Sequence, residues 1–195
     1  MPRSQNYHIL ESERIIIDWD LFYVGWVNRW LTGDDLIEYA VEYWSQHQDR
    51  ESPQLTDLAI ADPTNTFKLG LVFDQLMESL GGPPDENSSR WNNALRKWRY
   101  CLLRKCQTAS GSDRELLECC ESVYSDVGYP KDMEDFILYM PPKDGFDPQA
   151  HTDKECIERL VRLSSLFMER EETFLVDLGL KEKGSSEIKD EAKHK

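Results

Sequence analysis

The sequence predicts an all-α protein, a single-domain antiparallel helical bundle or helical-hairpin array of about seven to eight helices. Three observations carry that expectation. Apolar residues recur at three- and four-residue spacing in each long segment, helix-start residues precede most of those segments, and no stretch alternates at period two for long enough to make a strand. A chain of 195 residues suits one domain with one buried core. The expected organisation is a flexible N-terminus over residues 1–13, a helical domain over 14–179 and a disordered charged tail over 180–195.

Residues 1 to 12 are polar and expected to be loose, and RIII at Arg14 to Ile17 reads as a strand fragment or a buried lead-in. Asp18 is placed as an N-cap. Trp19, Phe22, Tyr23, Trp26 and Trp30 then fall at i, i+3, i+4, i+7 and i+11, one face of a helix. Gly33 ends that helix while Thr32 caps the next, which runs from Asp34 to Gln48 with Leu36, Ile37, Ala40, Val41 and Trp44 as its inward stripe. The two make a hairpin in which most of the tryptophans are core. Tyr39 and Tyr43 are left on an outward edge beside Asp35, Glu38 and Glu42.

Ser52 followed by Pro53 starts a short helix to Ala61, and Asp62-Pro63 restarts the chain into Asn65 to Leu80. GGPP at Gly81 to Pro84, with the polar DENSS, is a loop. Arg90 to Gln107 has Trp91, Leu95, Trp98, Leu102 and Cys106 on one face. Asp113 to Asp126, capped by Ser112, turns Leu116, Leu117, Cys120, Val123 and Tyr124 inward. Lys131 to Tyr139 reads as a short amphipathic helix, and Met140 to Gln149 as a rigid, helix-free connection. Thr152 and Glu155 match a capping box that opens the longest helix, to Leu178, which buries Ile157, Leu160, Val161, Leu163, Ser164, Phe167, Phe174 and Leu175.

Net charge is −14, from 37 acidic and 23 basic side chains, which argues against binding DNA, since that affinity rests on neutralising phosphates with Lys and Arg. The same field favours encounter with basic partners. Five cysteines without a CxxC pair fit neither a disulfide framework nor a zinc site, so reduced thiols are expected. Apolar runs near the N-terminus fall short of a signal peptide or a membrane span, so the expected place is the cytoplasm, with no membrane partner.

Motifs for chemistry are sparse. Asp34, Asp35 and Glu38 form a DDxxE string of the kind that holds magnesium on a diphosphate, but acids in a first helical turn answer to the macrodipole alone, and no second acidic motif accompanies them. His8, His47, His151 and His194 are scattered, and no GxSxG or phosphate loop is present. Acidic neighbours raise the pKa values of Cys119 and Cys120 rather than activating them. No catalytic residue, metal or cofactor is expected.

Two charge patterns remain. Arg90, Arg96, Lys97, Arg99, Arg104 and Lys105 lie on one helix without acids; the preferred reading is pairing with acidic neighbours such as Asp34 to Glu42 or Asp113 to Glu121, the alternative an RNA or anion face with Trp91 and Trp98. Conversely, Glu118, Glu121, Asp126, Asp132 and Asp135 belong to an acidic surface that is either solvated or a dock for a cationic protein, with Tyr124, Tyr129, Phe136 and Tyr139 as anchors.

At Ile17-Asp-Trp-Asp-x-x-x-x-Gly25, Trp30-Leu-Thr-x-x-Asp35-Leu-Ile-x-Tyr-Ala40 and Tyr124-Ser-Asp126-x-x-Tyr129-Pro130, the chain resembles an uncharacterised bacterial all-helical family, a domain of unknown function, over residues 14–145. The resemblance implies a small acidic cytosolic protein of the kind that includes candidate immunity proteins of toxin systems, and it transfers no catalytic residue. The expected function is therefore a non-enzymatic protein-binding module, most concretely an immunity protein that neutralises a basic toxin domain. Its expected partner-binding residues are Asp35, Glu38, Tyr39, Glu42, Tyr43, Glu118, Glu121, Asp126, Tyr129, Asp132 and Asp135. The alternatives are a small metal-dependent enzyme using the DDxxE carboxylates, and an intracellular scaffold or adaptor.

Overall fold

The computed structural model describes residues 4–47, 52–86 and 88–182. Among these, eight α-helices follow one another: α1 (Gln5–Ser12), α2 (Trp19–Val27), α3 (Gly33–Gln46), α4 (Pro53–Ala59), α5 (Thr66–Ser79), α6 (Ser89–Ala109), α7 (Asp113–Asp126) and α8 (Asp153–Asp177). Two 3-10 turns, Lys131–Phe136 and Pro148–Ala150, stand between α7 and α8. The all-α class and the helix number are as the periodicity predicts. An isolated antiparallel bridge between Ile15 and Lys181 is the only β pairing among the described residues.

The helix starts follow from local chemistry. Asp18, Thr32, Ser52, Asn65, Ser112 and Thr152 each accept a backbone N–H from the first turn of the helix they precede. Thr32 with Asp35, and Thr152 with Glu155, close capping boxes. Gly33 belongs to the first turn of α3 instead of ending α2, which stops at Val27, where the Asn28 side chain donates to the Val24 carbonyl at 2.8 Å.

The described residues divide into two compact units, one of residues 4–12 and Ile17–Trp98, the other of Glu13–Ile16 and 99–182, with the boundary inside α6. The first holds α1 to α5 and the start of α6. Its centre is Trp98, whose indole N–H donates to the Leu21 carbonyl at 2.7 Å and whose ring lies 5.5 Å from Trp30. Tyr7, Trp19, Phe22, Tyr39 and Phe73 form a second aromatic cluster, with Phe22 stacked on Tyr39 at 4.1 Å. α4 packs against α3 and α5.

In the second unit α8 packs on α7 and on the Lys131–Phe136 turn, with Phe136 5.1 Å from Phe167. Arg99 pairs with Glu171 at 2.6 Å and Asp132 at 3.0 Å while its guanidinium lies over the Phe167 ring. Glu13 accepts from Tyr100 and Lys181 on one oxygen and from Arg104 on the other, all within 3.2 Å. Burial pushes the Glu13 carboxyl up, but the Lys181 hydrogen bond and the Arg104 and Lys181 charges outweigh it and hold its pKa below the ordinary value.

Several expectations need correction. Residues 4–13 are not loose: α1 buries Tyr7 and Leu10, and the Ser4 amide donates to Asp35 at 2.8 Å. A short polar helix with only two core contacts has too weak a stripe to read. The expected disordered tail, 180–195, begins too early, because Lys181 is buried against Glu13 and Tyr100; residues 183–195 lie outside the described region. Lys131 to Tyr139 makes only the 3-10 turn, and Pro148–Ala150 adds one turn at the end of the segment expected to be helix-free. Phe174 is exposed on α8, where Met168 and Glu171 are buried instead. Cys106 and Cys119 form a disulfide, since α6 and α7 bring their Cα atoms to 5.7 Å; a separation of 13 residues matches no sequence motif. Cys101, Cys120 and Cys156 stand outside this disulfide, and burial first, then Glu121, pushes the Cys120 thiol up to about 12.

Candidate partner-binding surfaces

The inward stripe of α3 decides what the N-terminal unit presents. Two stripes compete in its sequence: Ile37, Val41 and Trp44, or Leu36, Tyr39, Ala40 and Tyr43. The second packs inward, with Leu36, Tyr39 and Ala40 buried and Tyr43 5.3 Å from Trp19, while Val41 and Trp44 are 46% and 50% exposed. Asp35 sets this rotation. Its Oδ2 accepts from the Thr32 N–H and hydroxyl and its Oδ1 from the Ser4 N–H, each at 2.8 Å. The first turn is therefore clamped with Asp35 inward.

Asp35 and Tyr39 are thus buried and do not stand on the outward edge that the sequence suggests. Asp35 is a buried cap that fastens α1, which also answers the DDxxE string: its central carboxylate is engaged by three donors. Among the described residues no three His, Cys, Asp or Glu side chains lie close enough to hold a metal ion. Glu38, Glu42 and Tyr43 are half-buried on α3.

What the rotation creates is a cleft of about 330 Å³ lined by Tyr7 and Glu11 of α1, Ile17, and Tyr39, Glu42, Tyr43, Gln46 and His47 of α3 and its end. Its walls are largely aromatic, and its described polar groups are two carboxylates, an amide and an imidazole. Tyr43 stacks face to face on His47 at 4.1 Å, and the His47 ring Nδ1 lies 2.9 Å from the Tyr43 carbonyl oxygen. Glu42 accepts from the Tyr7 hydroxyl on Oε2 and from the Gln46 amide on Oε1, both at 3.4 Å. Burial above all, then the Asp18 and Glu42 carboxylates and the neighbouring phenols of Tyr43 and Tyr7, raise the Tyr39 pKa, so the phenol stays neutral. Tyr7 and Glu11 escaped the sequence reading because their helix did.

The other candidate residues stand on the C-terminal unit. Glu118, Asp126, Tyr129, Asp132 and Asp135 are exposed and Glu121 half-buried, so α7 and the turn after it do carry a carboxylate face. That face is partly neutralised: Asp132 pairs with Arg99, and Lys143 sits 2.7 Å from Glu134 and 3.8 Å from Asp135. Of the four aromatic anchors expected there, Tyr124 and Phe136 are buried in the core and Tyr129 and Tyr139 are exposed. Tyr129 takes a left-handed φ of 59° and meets Tyr124 edge-on at 5.2 Å.

The basic helix pairs internally, as preferred, although with other acids than expected. Arg90 grips Asp20 through two hydrogen bonds, Lys97 pairs with Asp18, Arg99 with Glu171 and Asp132, and Arg104 with Glu13. The partners come from the end of α1, the start of α2, the Lys131–Phe136 turn and α8, which sequence proximity does not reveal.

A family model for an uncharacterized protein conserved in bacteria (DUF2247) matches residues 7–172. The chain belongs to the DUF2247 family. No curated protein and no solved structure matches it. The family match starts at Tyr7, inside α1, and so spans the entire cleft lining as well as both acidic surfaces. In this DUF2247 chain the motif residues behind the resemblance have structural roles: Asp18 caps α2, Trp19 and Trp30 are core, Asp20 holds Arg90, Gly25 lies against Trp98, and Thr32 and Asp35 clamp α3.

Proposed function

We propose that the protein is a non-enzymatic binding module for a cationic protein partner, most concretely an immunity protein that neutralises a basic toxin domain in the cytoplasm. The observation that carries this reading is the fate of the positive charge. At least four of the six basic residues of α6 are committed to internal ion pairs, so the net charge of −14 is expressed mainly through surface carboxylates. A field of one sign speeds encounter with the opposite sign and repels nucleic acid.

The test is calorimetry with the purified basic products of neighbouring reading frames, at low and at raised salt. The expected result is a stoichiometric complex whose affinity falls about tenfold or more as salt screens the carboxylates. Absence of any complex, or a complex indifferent to salt and to Glu118→Lys, overturns the reading.

A further inference from the structure

The outer face of α5 joins uncovered apolar side chains to uncompensated acids. Phe67, Leu71, Asp74 and Glu78 recur at i, i+4, i+7 and i+11, one stripe of the helix, away from the buried Leu69, Phe73 and Leu76. Phe67 and Leu71 are 78% and 50% exposed. α2 borders this face: half-buried Trp26 reaches Gly70, its Nε1 3.7 Å from where a Cβ would stand, and the Tyr23 ring lies 5.9 Å from that of Phe73. We propose that the face docks an amphipathic helix of a basic partner protein, with apolar residues against Phe67, Leu71 and Trp26 and lysines or arginines against Asp74 and Glu78; this rests on the reading that the partner is cationic.

The acids come first. Asp74 and Glu78 stand one turn apart, where like charges destabilise a helix, and Glu78 lies in the last turn, where the macrodipole is already negative. Neither carboxylate takes part in an ion pair or a hydrogen bond among the described residues. Burial and then the Glu78 charge raise the Asp74 pKa, and burial and then both carboxylates raise that of the Tyr23 phenol. The two charges are thus held close to the α2 border of the stripe. A surface pattern that disfavours its own helix is expected where something outside compensates it.

Charge then selects the occupant of the apolar half. A second copy would bring the same acids and a second net charge of −14. A bilayer surface attracts helices with lysines and arginines along the polar face, whereas Lys68 is the single cation of α5. A basic amphipathic segment complements both halves of the stripe at once. Backbone chemistry selects its form. The N–H and C=O groups of α5 are engaged within the helix, so an extended segment laid on it would find no backbone partners, while a helix arrives with its own satisfied. From Phe67 to Glu78 the stripe rises about 16 Å, which about three turns of a partner helix would cover.

The test titrates a helical leucine–lysine peptide, leucines on one face and lysines beside them, into the labelled full chain, with amide resonances followed by NMR. Saturable shifts are expected at Trp26, Phe67, Leu71 and Asp74. Binding should weaken about tenfold or more in Phe67→Ser and several-fold in the double variant Asp74→Asn, Glu78→Gln. These are exposed side chains, so the core is left as it is. Shifts confined to other surfaces, equal binding of a leucine–glutamate peptide of the same pattern, or binding indifferent to either variant would overturn the assignment. So would a dimer in sedimentation velocity, or flotation with anionic vesicles, that Phe67→Ser abolishes. The outcomes also separate from those of the parent reading. A salt-sensitive complex with a basic protein that Phe67→Ser leaves unchanged sinks this inference alone, and peptide docking on α5 without any such complex sinks the parent reading alone.

Discussion

Gly25→Ala should destabilise the protein even though alanine is the better helix former. Gly25 lies inside α2, and a Cβ built on it would meet Trp98 Cζ2 at 2.5 Å, Trp98 Cε2 at 2.8 Å and Leu31 Cδ1 at 2.9 Å. Carbon atoms rest about 3.5–4.0 Å apart, so the indole must retreat by about 1 Å. It has little freedom to do so, being fully buried and tied through its N–H to the Leu21 carbonyl at 2.7 Å. Overpacking of this kind costs about 2 kcal/mol and loss of the buried hydrogen bond about 2 more, against a helix-propensity gain of about 1, for a net loss of about 3 kcal/mol. Gly70→Ala in α5 is the internal control, because its Cβ would find only Trp26 atoms at 3.7 and 4.0 Å, ordinary contact, and the propensity gain of up to about 1 kcal/mol should survive. Urea unfolding followed by far-UV circular dichroism reads both variants as shifts of the midpoint at constant slope. A Gly25→Ala midpoint at or above that of the wild type would refute the close approach of α2 to Trp98.

Other expectations follow from named contacts. Asp35→Ala should cost about 2–4 kcal/mol, since it removes a cap and leaves three donors without their acceptor, and calorimetry with magnesium should find no binding that depends on this residue. Because the folded-state pKa of Glu13 lies below its ordinary 4.5, its contribution to stability is present above that value and is lost as pH falls through the folded pKa; Glu13→Gln should be less stable than wild type at neutral pH, with the gap closing in acid. Thiol titration of the oxidised, unfolded chain should count three cysteines and rise to five on reduction, with reduction lowering stability by about 3 kcal/mol for a loop of this length. Alkylation of thiols in intact cells checks the compartment, since such a bridge persists in oxidising surroundings and is rare in the cytosol.

What was legible in the sequence was whatever local chemistry decides. The caps at Asp18, Thr32, Ser52, Ser112 and Thr152 are short-range hydrogen-bonding devices, and each marks a helix start in the structure. What escaped depends on pairings distant in the chain. α1 is held by Tyr7, Leu10 and the bond from Ser4 to Asp35, 31 residues away, so its eight residues carry almost no helical signal of their own. Cys106 with Cys119, and Arg99 with Glu171, are likewise meetings of helix faces. Their residue types are visible, their partners are not.

The candidate site shows how one such distant contact changes a functional reading. On sequence alone the acidic-tyrosine edge of α3 looks like a convex outward ridge made by Tyr39 and Tyr43 with Asp35, Glu38 and Glu42. The inward pull of Asp35, from its own cap and from the Ser4 amide, rotates α3 so that Tyr39 packs on Phe22 and Val41 and Trp44 face outward. Once α1 covers that side, the same tyrosines and Glu42 line a concavity with Tyr7 and Glu11 instead of a ridge. The difference matters energetically, because an exposed carboxylate–cation pair contributes about 0–1 kcal/mol, whereas a charge-assisted hydrogen bond in a partly desolvated aromatic cleft is worth about twice an ordinary one or more. A ridge offers only steering, and a cleft adds selection. Removing the α1–α3 tie with Asp35→Ala should therefore loosen α1 over the cleft even though Asp35 does not line it, seen as faster amide hydrogen exchange along α1, and unchanged exchange in that variant would mean that α1 is held there by other contacts.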